Sequence, residues 1–357
     1  MDPFPRISVI IPTFNRLPLL QDAAASVLEQ TYRNFELIIA DDGSTDGTGR
    51  YCRELEARTG MQAGENNPHP SPAPSPPVRY LHLEHTGMPG AVRNRGAEAA
   101  RGEYLAFLDS DDLWSPKKLE KQVALMGECR EDTSRGDTYR MHSSRVYSGR
   151  MYECRFSHTR ERWLRRVEDG EFREISQKGQ KHRRSGDIFD DALKKCIIGP
   201  STVMMERALF EELGGFREDL EIAEDYEFWL RVAALEEVGY LDEPLTIKRA
   251  GYGDQLSEKY GHIEYFRLTG LKALVDSGWF DALQEKKAGS AAPKAEAEKR
   301  NGIAEAARKE LARKCLIYAA GCRKRGREEE ALQYERWAKQ YQGESAQPES
   351  AQPESAP

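Results

Sequence analysis

Three aspartates fall within four residues in the stretch LDSDDLW: Asp109, Asp111 and Asp112, directly behind the apolar run YLAFL. Carboxylates this close repel one another, so the pattern calls for a positive partner or for full solvation. Hard oxygen donors at such spacing suit Mg2+ or Mn2+, with the remaining coordination positions filled by water and substrate phosphates. A cation held there would screen a diphosphate and stabilise it as a leaving group. Asp-x-Asp alone is a short pattern, and its position behind an apolar strand gives it weight.

Three further groups could act with it. Asp41 and Asp42 precede Gly43 in DDGSTDG; carboxylates there could accept hydrogen bonds from a ribose or from the N–H of a base, or could simply cap a turn. Arg93 and Arg95, with Asn94 between them, could bind phosphate or orient the acidic turns, although Arg95 reads equally well as a surface salt-bridge residue. In IAEDYEFWLR, Glu224 and Asp225 open a helix where acidic residues ordinarily partner the helix dipole. A reaction that joins a hydroxyl while expelling a diphosphate also needs a base, and Asp225 is the candidate.

These groups must be carried by elements, and the elements can be read. ISVII, FELIIA, VRYLHL and EYLAFL are short apolar runs, each separated from the next by a helical pattern: LPLLQDAAASVLEQT, a polar helix through Tyr51 and Leu55, and PGAVRNRGAEAARG. Unbroken apolar strands alternating with helices predict an α/β fold, a Rossmann-like mostly parallel sheet with helices on both faces. Ligands of such sheets sit beyond the carboxyl ends of the strands, where TFNR, DDGSTDG, EHTGMPG and DSDDLW lie. After LDSDDLW, Ser115 and Pro116 predict a helix start, with Asp112 as a capping residue for it. TYRMHSSRVYSGRMYEC suggests a strand or hairpin, whereas residues 160–184, with nine basic and five acidic residues, read as a solvated loop or helix face.

Two stretches, 64–77 and 286–302, are too rich in proline, small and charged residues to bury a core, and predict a disordered insertion and a linker. Residues 1–250 are expected to form the main domain, 251–285 its C-terminal helical part, 303–341 a helical hairpin, and 342–357, with its repeated SAQPE, a disordered tail. The net charge of −7 from 53 basic and 60 acidic residues gives no drive toward nucleic acid. No apolar run approaches the length of a membrane span and no leader pattern is present, which predicts a cytoplasmic chain. The six cysteines show no Cys-x-x-Cys pair, supporting neither a zinc site nor a disulfide framework.

Taken together, VIIPTFNR, ELIIADDGSTDGT, AVRNRGAEAARGEYLAFLDSDDLW, GGF and EDYEFWLR resemble, in this order, the family 2 glycosyltransferases of the GT-A fold, over roughly residues 6–250. The resemblance implies inverting transfer of a sugar from a nucleotide-diphosphate donor, commonly a UDP-sugar, to a hydroxyl of a glycan or lipid-linked acceptor at the inner face of the cell membrane. Carried over by residue, it puts Pro12 and Phe14 near the base and Asp41 and Asp42 at uracil or ribose. Asp109 falls at ribose or the metal shell, Asp111 on the Mn2+ or Mg2+ ion, and Asp225 at the general base. Arg93 joins the donor side. Gly199, Pro200 and Ser201 become acceptor-wall residues, with Glu224 on that side and Trp229 as core or wall. The chain departs from the pattern at Ala250–Tyr252, where related sequences have Gly-His, so His182 or Tyr252 would need another role.

A scaffold that binds sugar nucleotides without turnover is the main alternative, but it would need none of Asp42, Asp109, Asp111 and Asp225 together. A nucleotidyltransferase is more distant, since TFNRLP lacks the glycine-rich phosphate loop. The C-terminal helices could mediate oligomerisation or rest on a membrane, although polar faces that mix both signs give no specific signal for adsorption.

Overall fold

The computed structural model describes residues 6–61, 75–127, 154–167, 170–175, 183–253, 263–288 and 302–343. The proline-rich insertion through residue 74, the expected hairpin at 138–153, His182, the linker residues 289–301 and the tail from 344 lie outside them.

The four apolar runs become parallel strands β1 (Ile7–Thr13), β2 (Phe35–Asp41), β3 (Val78–His82) and β4 (Tyr104–Phe107), with α1 (Leu17–Leu28), α2 (Thr48–Met61) and α3 (Pro89–Glu98) as crossovers. Every residue of β2 is buried, as expected of a strand covered on both faces. Register then aligns the chemistry. Thr13 pairs with Asp41 and Asp41 with His82, so three strands end level. β4 stops at Phe107 opposite Ile10, and the Leu108 N–H still donates to the Ile10 carbonyl at 3.0 Å. Residues 109–112 therefore emerge beside the loop that follows Thr13.

The remaining elements of this half are β5 (Leu113–Trp114), α4 (Lys118–Gly127), β6 (Phe156–Arg166), β7 (Phe172–Ile175), α5 (Phe189–Lys194), a 3-10 turn (Pro200–Thr202), β8 (Met204–Glu206), α6 (Arg207–Glu212), α7 (Glu224–Leu235) and β9 (Gly239–Ala250). They extend the sheet to the order β3-β2-β1-β4-β8-β6-β9-β5, with β7 paired to β6. β8 runs antiparallel to both β4 and β6, β6 and β9 are parallel to each other, and β5 and β7 are antiparallel edges. The sheet is thus mostly parallel and carries helices, as expected.

The basic stretch beginning at Arg160 departs from the expected loop or helix face. Residues 160–166 complete β6, and a turn at Gly170 (φ 84°) leads into β7. Charge content misled here because the charges are paired across strands: Arg160 with Asp242 at 3.4 Å and Arg162 with Glu174 at 3.3 Å, while Glu161 points inward.

One core cluster joins β1, β2, β4 and α1 through Ile7, Val9, Ile11, Leu20, Val27, Leu37, Ile39 and Tyr104. An aromatic group, Phe107, Phe210, Phe216, Phe228 and Trp229, packs together with ring centroids 4.7–5.9 Å apart. At about 1.5–3 kcal/mol per buried large apolar side chain, this group anchors α3, α6 and α7 near the carboxyl end of β4.

The chain divides into two compact units at Ile263/Glu264. The second contains α8 (Ile263–Asp276), α9 (Trp279–Ala288), α10 (Ile303–Lys324) and α11 (Glu328–Tyr341). α10 and α11 turn at Gly326 (φ 72°) and pack through Tyr318 on Tyr334, centroids 4.5 Å apart, with Arg323 bonded to Glu335. No helix among the described residues is long and apolar enough to cross a membrane.

Candidate active site

The loops after β1 and β2 are stitched together by main-chain donors. Asn15 takes a left-handed conformation (φ 49°), which asparagine tolerates. Its N–H donates to Ser44 Oγ at 2.8 Å, its Oδ1 accepts the Thr45 N–H at 2.7 Å, and the Leu17 N–H donates to Asp46 at 2.9 Å. Pro12 is the half-buried penultimate residue of β1. Phe14 stands exposed and stacks on His85, centroids 4.1 Å apart at 21°.

Asp41 is fully buried and accepts from Tyr80 Oη at 2.7 Å and from the Ser44 N–H at 2.9 Å. Asp42 accepts the Thr86 N–H at 2.8 Å, the Thr86 hydroxyl at 3.0 Å and the Gly87 N–H at 2.9 Å, with His85 Nδ1 2.9 Å away. Gly43 makes the turn between these contacts at φ 78°. The first acidic turn is therefore satisfied mainly by neutral donors.

The second acidic turn is built differently. Asp109, Asp111 and Asp112 each offer a carboxylate oxygen, and these oxygens lie within 4.8 Å of one another. Each carboxylate faces a different cation: Asp109 meets Arg93 Nη2 at 2.7 Å, Asp111 meets Arg16 Nη1 at 3.0 Å, and Asp112 meets Lys248 Nζ at 3.8 Å. Arg249 fixes the main chain beneath them: its Nε donates to the Asp111 carbonyl at 2.6 Å, its N–H to Asp112 at 3.2 Å, and its Nη1 to Asp22 at 2.7 Å. Burial works against the Asp109 carboxylate, yet Arg93, with Lys248 beyond it, holds it below the usual range. Burial drives Asp112 well above that range, opposed by Lys248 and reinforced by Asp111.

Asp112 does not cap the helix after Ser115. Its carboxylate turns inward to accept the Ser201 hydroxyl at 2.6 Å, and Ser201 Oγ in turn accepts the Asp109 N–H at 3.1 Å. Ser201 is consequently a fully buried strut under the acidic turn. Pro200 is buried beside it in the same 3-10 turn. Gly199 lies so close to Glu161 that a Cβ would come within 2.3 Å of Glu161 Oε1.

Arg93 sits one turn into α3, 6% exposed, with its guanidinium 5.7 Å from the Phe216 ring centroid. It bonds Asp109 with one nitrogen and Glu224 with the other. Asn94 locks α3 to the GGF turn, accepting the Phe216 N–H at 2.9 Å and donating to the Phe216 carbonyl at 2.8 Å, while Arg95 forms surface pairs with Glu98 and Glu218. Burial pushes Glu224 up to about 7, against the pull of Arg93 and with help from Asp225.

Asp225 remains half-buried; one oxygen accepts its neighbour's N–H, of Tyr226, at 2.7 Å, and the other the Cys196 thiol at 3.6 Å. The residue before this acidic pair, Ala223, is left-handed (φ 64°), a conformation costing alanine about 1 kcal/mol or more. Trp229 is 2% exposed and packs on Phe156, Phe216 and Phe228, which places it in the core.

The structure thus brings Asp109, Asp111, Arg93, Glu224 and Ser201 into one bonded network, and places Asp41, Asp42, Pro12 and Phe14 on the adjoining loops. Sequence reasoning did not single out Arg16, Lys248 and Arg249. Arg16 closes VIIPTFNR, and Lys248 and Arg249 directly precede Ala250–Tyr252, so the signal was a basic residue beside each of two stretches already marked by the resemblance. Three clustered carboxylates, hard oxygen donors all, fit a divalent Mg2+ or Mn2+ ion.

Comparison with known proteins identifies the family of the chain. The chain is 32% identical over 248 residues to an uncharacterized glycosyltransferase of Rickettsia felis, covering 70% of this chain and 33% of that protein. It is 31% identical over 227 residues to TuaG of Bacillus subtilis, named for teichuronic acid biosynthesis, covering 63% of this chain and 71% of TuaG. The chain spans about a third of the length of the Rickettsia felis protein. Among solved structures, S. aureus TarS 1–349 in complex with UDP-GlcNAc superposes with a TM-score of 0.56 at 17% identity, covering 96% of this chain and 93% of that one, a likeness of fold. The profile of glycosyl transferase family 2 matches residues 8–214, more than half of the chain, and the protein belongs to that family.

Proposed function

We propose that the protein transfers a sugar from a nucleotide-diphosphate donor, of UDP type, to a hydroxyl of a cell-surface glycan or lipid-linked acceptor, with inversion at the anomeric carbon. The observation that carries this reading is Arg93. One buried guanidinium joins Asp109 of the acidic turn to Glu224, next in sequence to the candidate base Asp225, so the diphosphate side and the proton-accepting side share one rigid bridge. The family supports sugar transfer, and the likeness to TarS, solved with UDP-GlcNAc, and to TuaG, named for teichuronic acid biosynthesis, supports a nucleotide-sugar donor and a cell-envelope product.

In this reading Asp111 and Asp109 hold Mn2+ or Mg2+, which when bound screens the diphosphate and so makes it a better leaving group. Phe14 and His85 offer a flat aromatic shelf beside Asp42 for the base, and Asp41 stiffens that turn from below. Asp225 takes the acceptor hydroxyl proton as the oxygen attacks the anomeric carbon and the nucleoside diphosphate departs; a single displacement inverts the configuration. Gly199 and Pro200 line the acceptor side. The place of action is the cytoplasmic side of the membrane, where the C-terminal helices could meet the acceptor or a second copy.

A nucleotide-sugar screen with Mn2+ and with Mg2+, scored for slow donor hydrolysis, tests the reading. Release of nucleoside diphosphate, reduced about a hundredfold or more in Asp225→Asn with donor binding kept, is the expected result. Release of pyrophosphate, or full hydrolysis by Asp225→Asn, refutes it.

A further inference from the structure

We propose that His85 is the residue that reads the donor's base: its Nε2 accepts the ring N–H of uracil, and Asp42 stands behind it as the group that fixes the imidazole. This specificity role rests on the nucleotide-donor reading above, and it moves direct recognition from the buried carboxylate to its neighbour.

Both aspartates of the first turn are already occupied. Asp42 Oδ1 accepts the Thr86 N–H at 2.8 Å and the Thr86 hydroxyl at 3.0 Å, while Oδ2 accepts the Gly87 N–H at 2.9 Å and lies 2.9 Å from His85 Nδ1. Two donors on each oxygen fill a carboxylate, and the Asp42 side chain is only 6% exposed. Asp41 is fully buried and bonded to the Tyr80 hydroxyl and the Ser44 N–H. A base that met either carboxylate would first have to break these bonds.

His85 faces outward from the same turn, its side chain 51% exposed. Its Nδ1 lies 2.9 Å from the Asp42 carbonyl oxygen as well as 2.9 Å from Asp42 Oδ2. Two acceptors at that nitrogen require that it carry the proton, so the neutral imidazole keeps its lone pair on Nε2. Phe14 stacks on the ring at 4.1 Å and 21°, which sets its plane. Among the described residues Nε2 has no hydrogen-bond partner. Apart from its chain neighbours, a Cβ added at Gly87 would meet only this nitrogen, at 3.9 Å, so space remains beside it. An acceptor fixed in both tautomer and plane distinguishes uracil, which offers a ring N–H, from cytosine, whose corresponding nitrogen is itself an acceptor.

The test measures calorimetric binding of UDP, CDP and N3-methylated UDP, at saturating Mn2+, to the full chain as wild type, His85→Phe and His85→Gln, with thermal melting to verify folding. Phenylalanine keeps a ring against Phe14 and removes the acceptor, whereas glutamine supplies an acceptor without the ring. Wild type should bind UDP about tenfold more tightly than CDP or the methylated nucleotide. His85→Phe should bind all three alike, at the level of CDP, and His85→Gln should recover part of the preference. Equal binding of UDP and CDP by the wild type, binding of the methylated nucleotide as tight as that of UDP, or a preference for UDP that His85→Phe retains overturns the assignment while leaving the donor reading intact. A wild-type protein that binds no nucleoside diphosphate overturns the donor reading and the assignment with it.

Discussion

The two acidic turns at the carboxyl edge of the sheet solve the same electrostatic problem in opposite ways. Asp41 and Asp42 receive hydroxyl and main-chain N–H groups from Tyr80, Ser44, Thr86 and Gly87. Asp109, Asp111 and Asp112 are each set against a charged side chain, Arg93, Arg16 and Lys248. Neutral donors stabilise a carboxylate without cancelling its charge, so the first turn is a fixed acceptor surface. Charged partners offset the carboxylates of the second turn, and its three clustered oxygens fit a divalent ion. Sequence spacing alone, two adjacent aspartates against three in four positions, does not reveal this division.

The contrast is broken most severely at Arg93. Arg93→Met leaves the half-buried Asp109 and the buried Glu224 without their shared cation, and unfolding in denaturant should show a loss of about 3 kcal/mol or more. A pH effect from the same network comes next. Glu224 lies at about 7 in the folded protein against an ordinary 4.5, so the native state favours its protonated form. That contribution is fully present below about pH 4.5 and is lost as pH rises toward 7, by about 3 kcal/mol at most. Glu224→Gln should therefore remove a downward slope of stability with pH that Asp41→Asn leaves in place, as read from melting temperatures across that range.

In the first turn the penalty is smaller and of another kind. Asp41→Ala strands the Tyr80 hydroxyl and the Ser44 N–H, costing about 2 kcal/mol, with Mn2+ affinity unchanged. Finally, each region contains one left-handed residue that is not glycine, Asn15 beside the first turn and Ala223 before Glu224. Because asparagine tolerates this conformation and alanine does not, Ala223→Gly should stabilise the protein by about 1 kcal/mol and Asn15→Gly should not.

Much of the first region was legible because its determinants are local. Apolar runs closed by turn residues define β1 to β4, and parallel pairing then forces Thr13, Asp41 and His82 level. The second region depends on contacts between residues far apart in the chain. Ser201 reaches Asp112 across 89 positions and Arg249 reaches it across 137, distances over which local spacing carries no information. That is why Asp112 read as a helix cap and why Arg16, Lys248 and Arg249 went unnoticed. β6 was obscured for a further reason: Arg160, Glu161 and Arg162 are charged in succession, although only Glu161 of the three is buried.

The measurement that bears most directly on the division of labour is UDP affinity with and without Mn2+ for wild type, Asp42→Asn and Asp111→Asn. Mn2+ is expected to strengthen UDP binding in the wild type and in Asp42→Asn, the latter binding more weakly in both conditions. In Asp111→Asn the Mn2+ enhancement should vanish while the weak metal-free binding persists. An Asp111→Asn protein that keeps the full enhancement would contradict the assignment of the second turn to the metal.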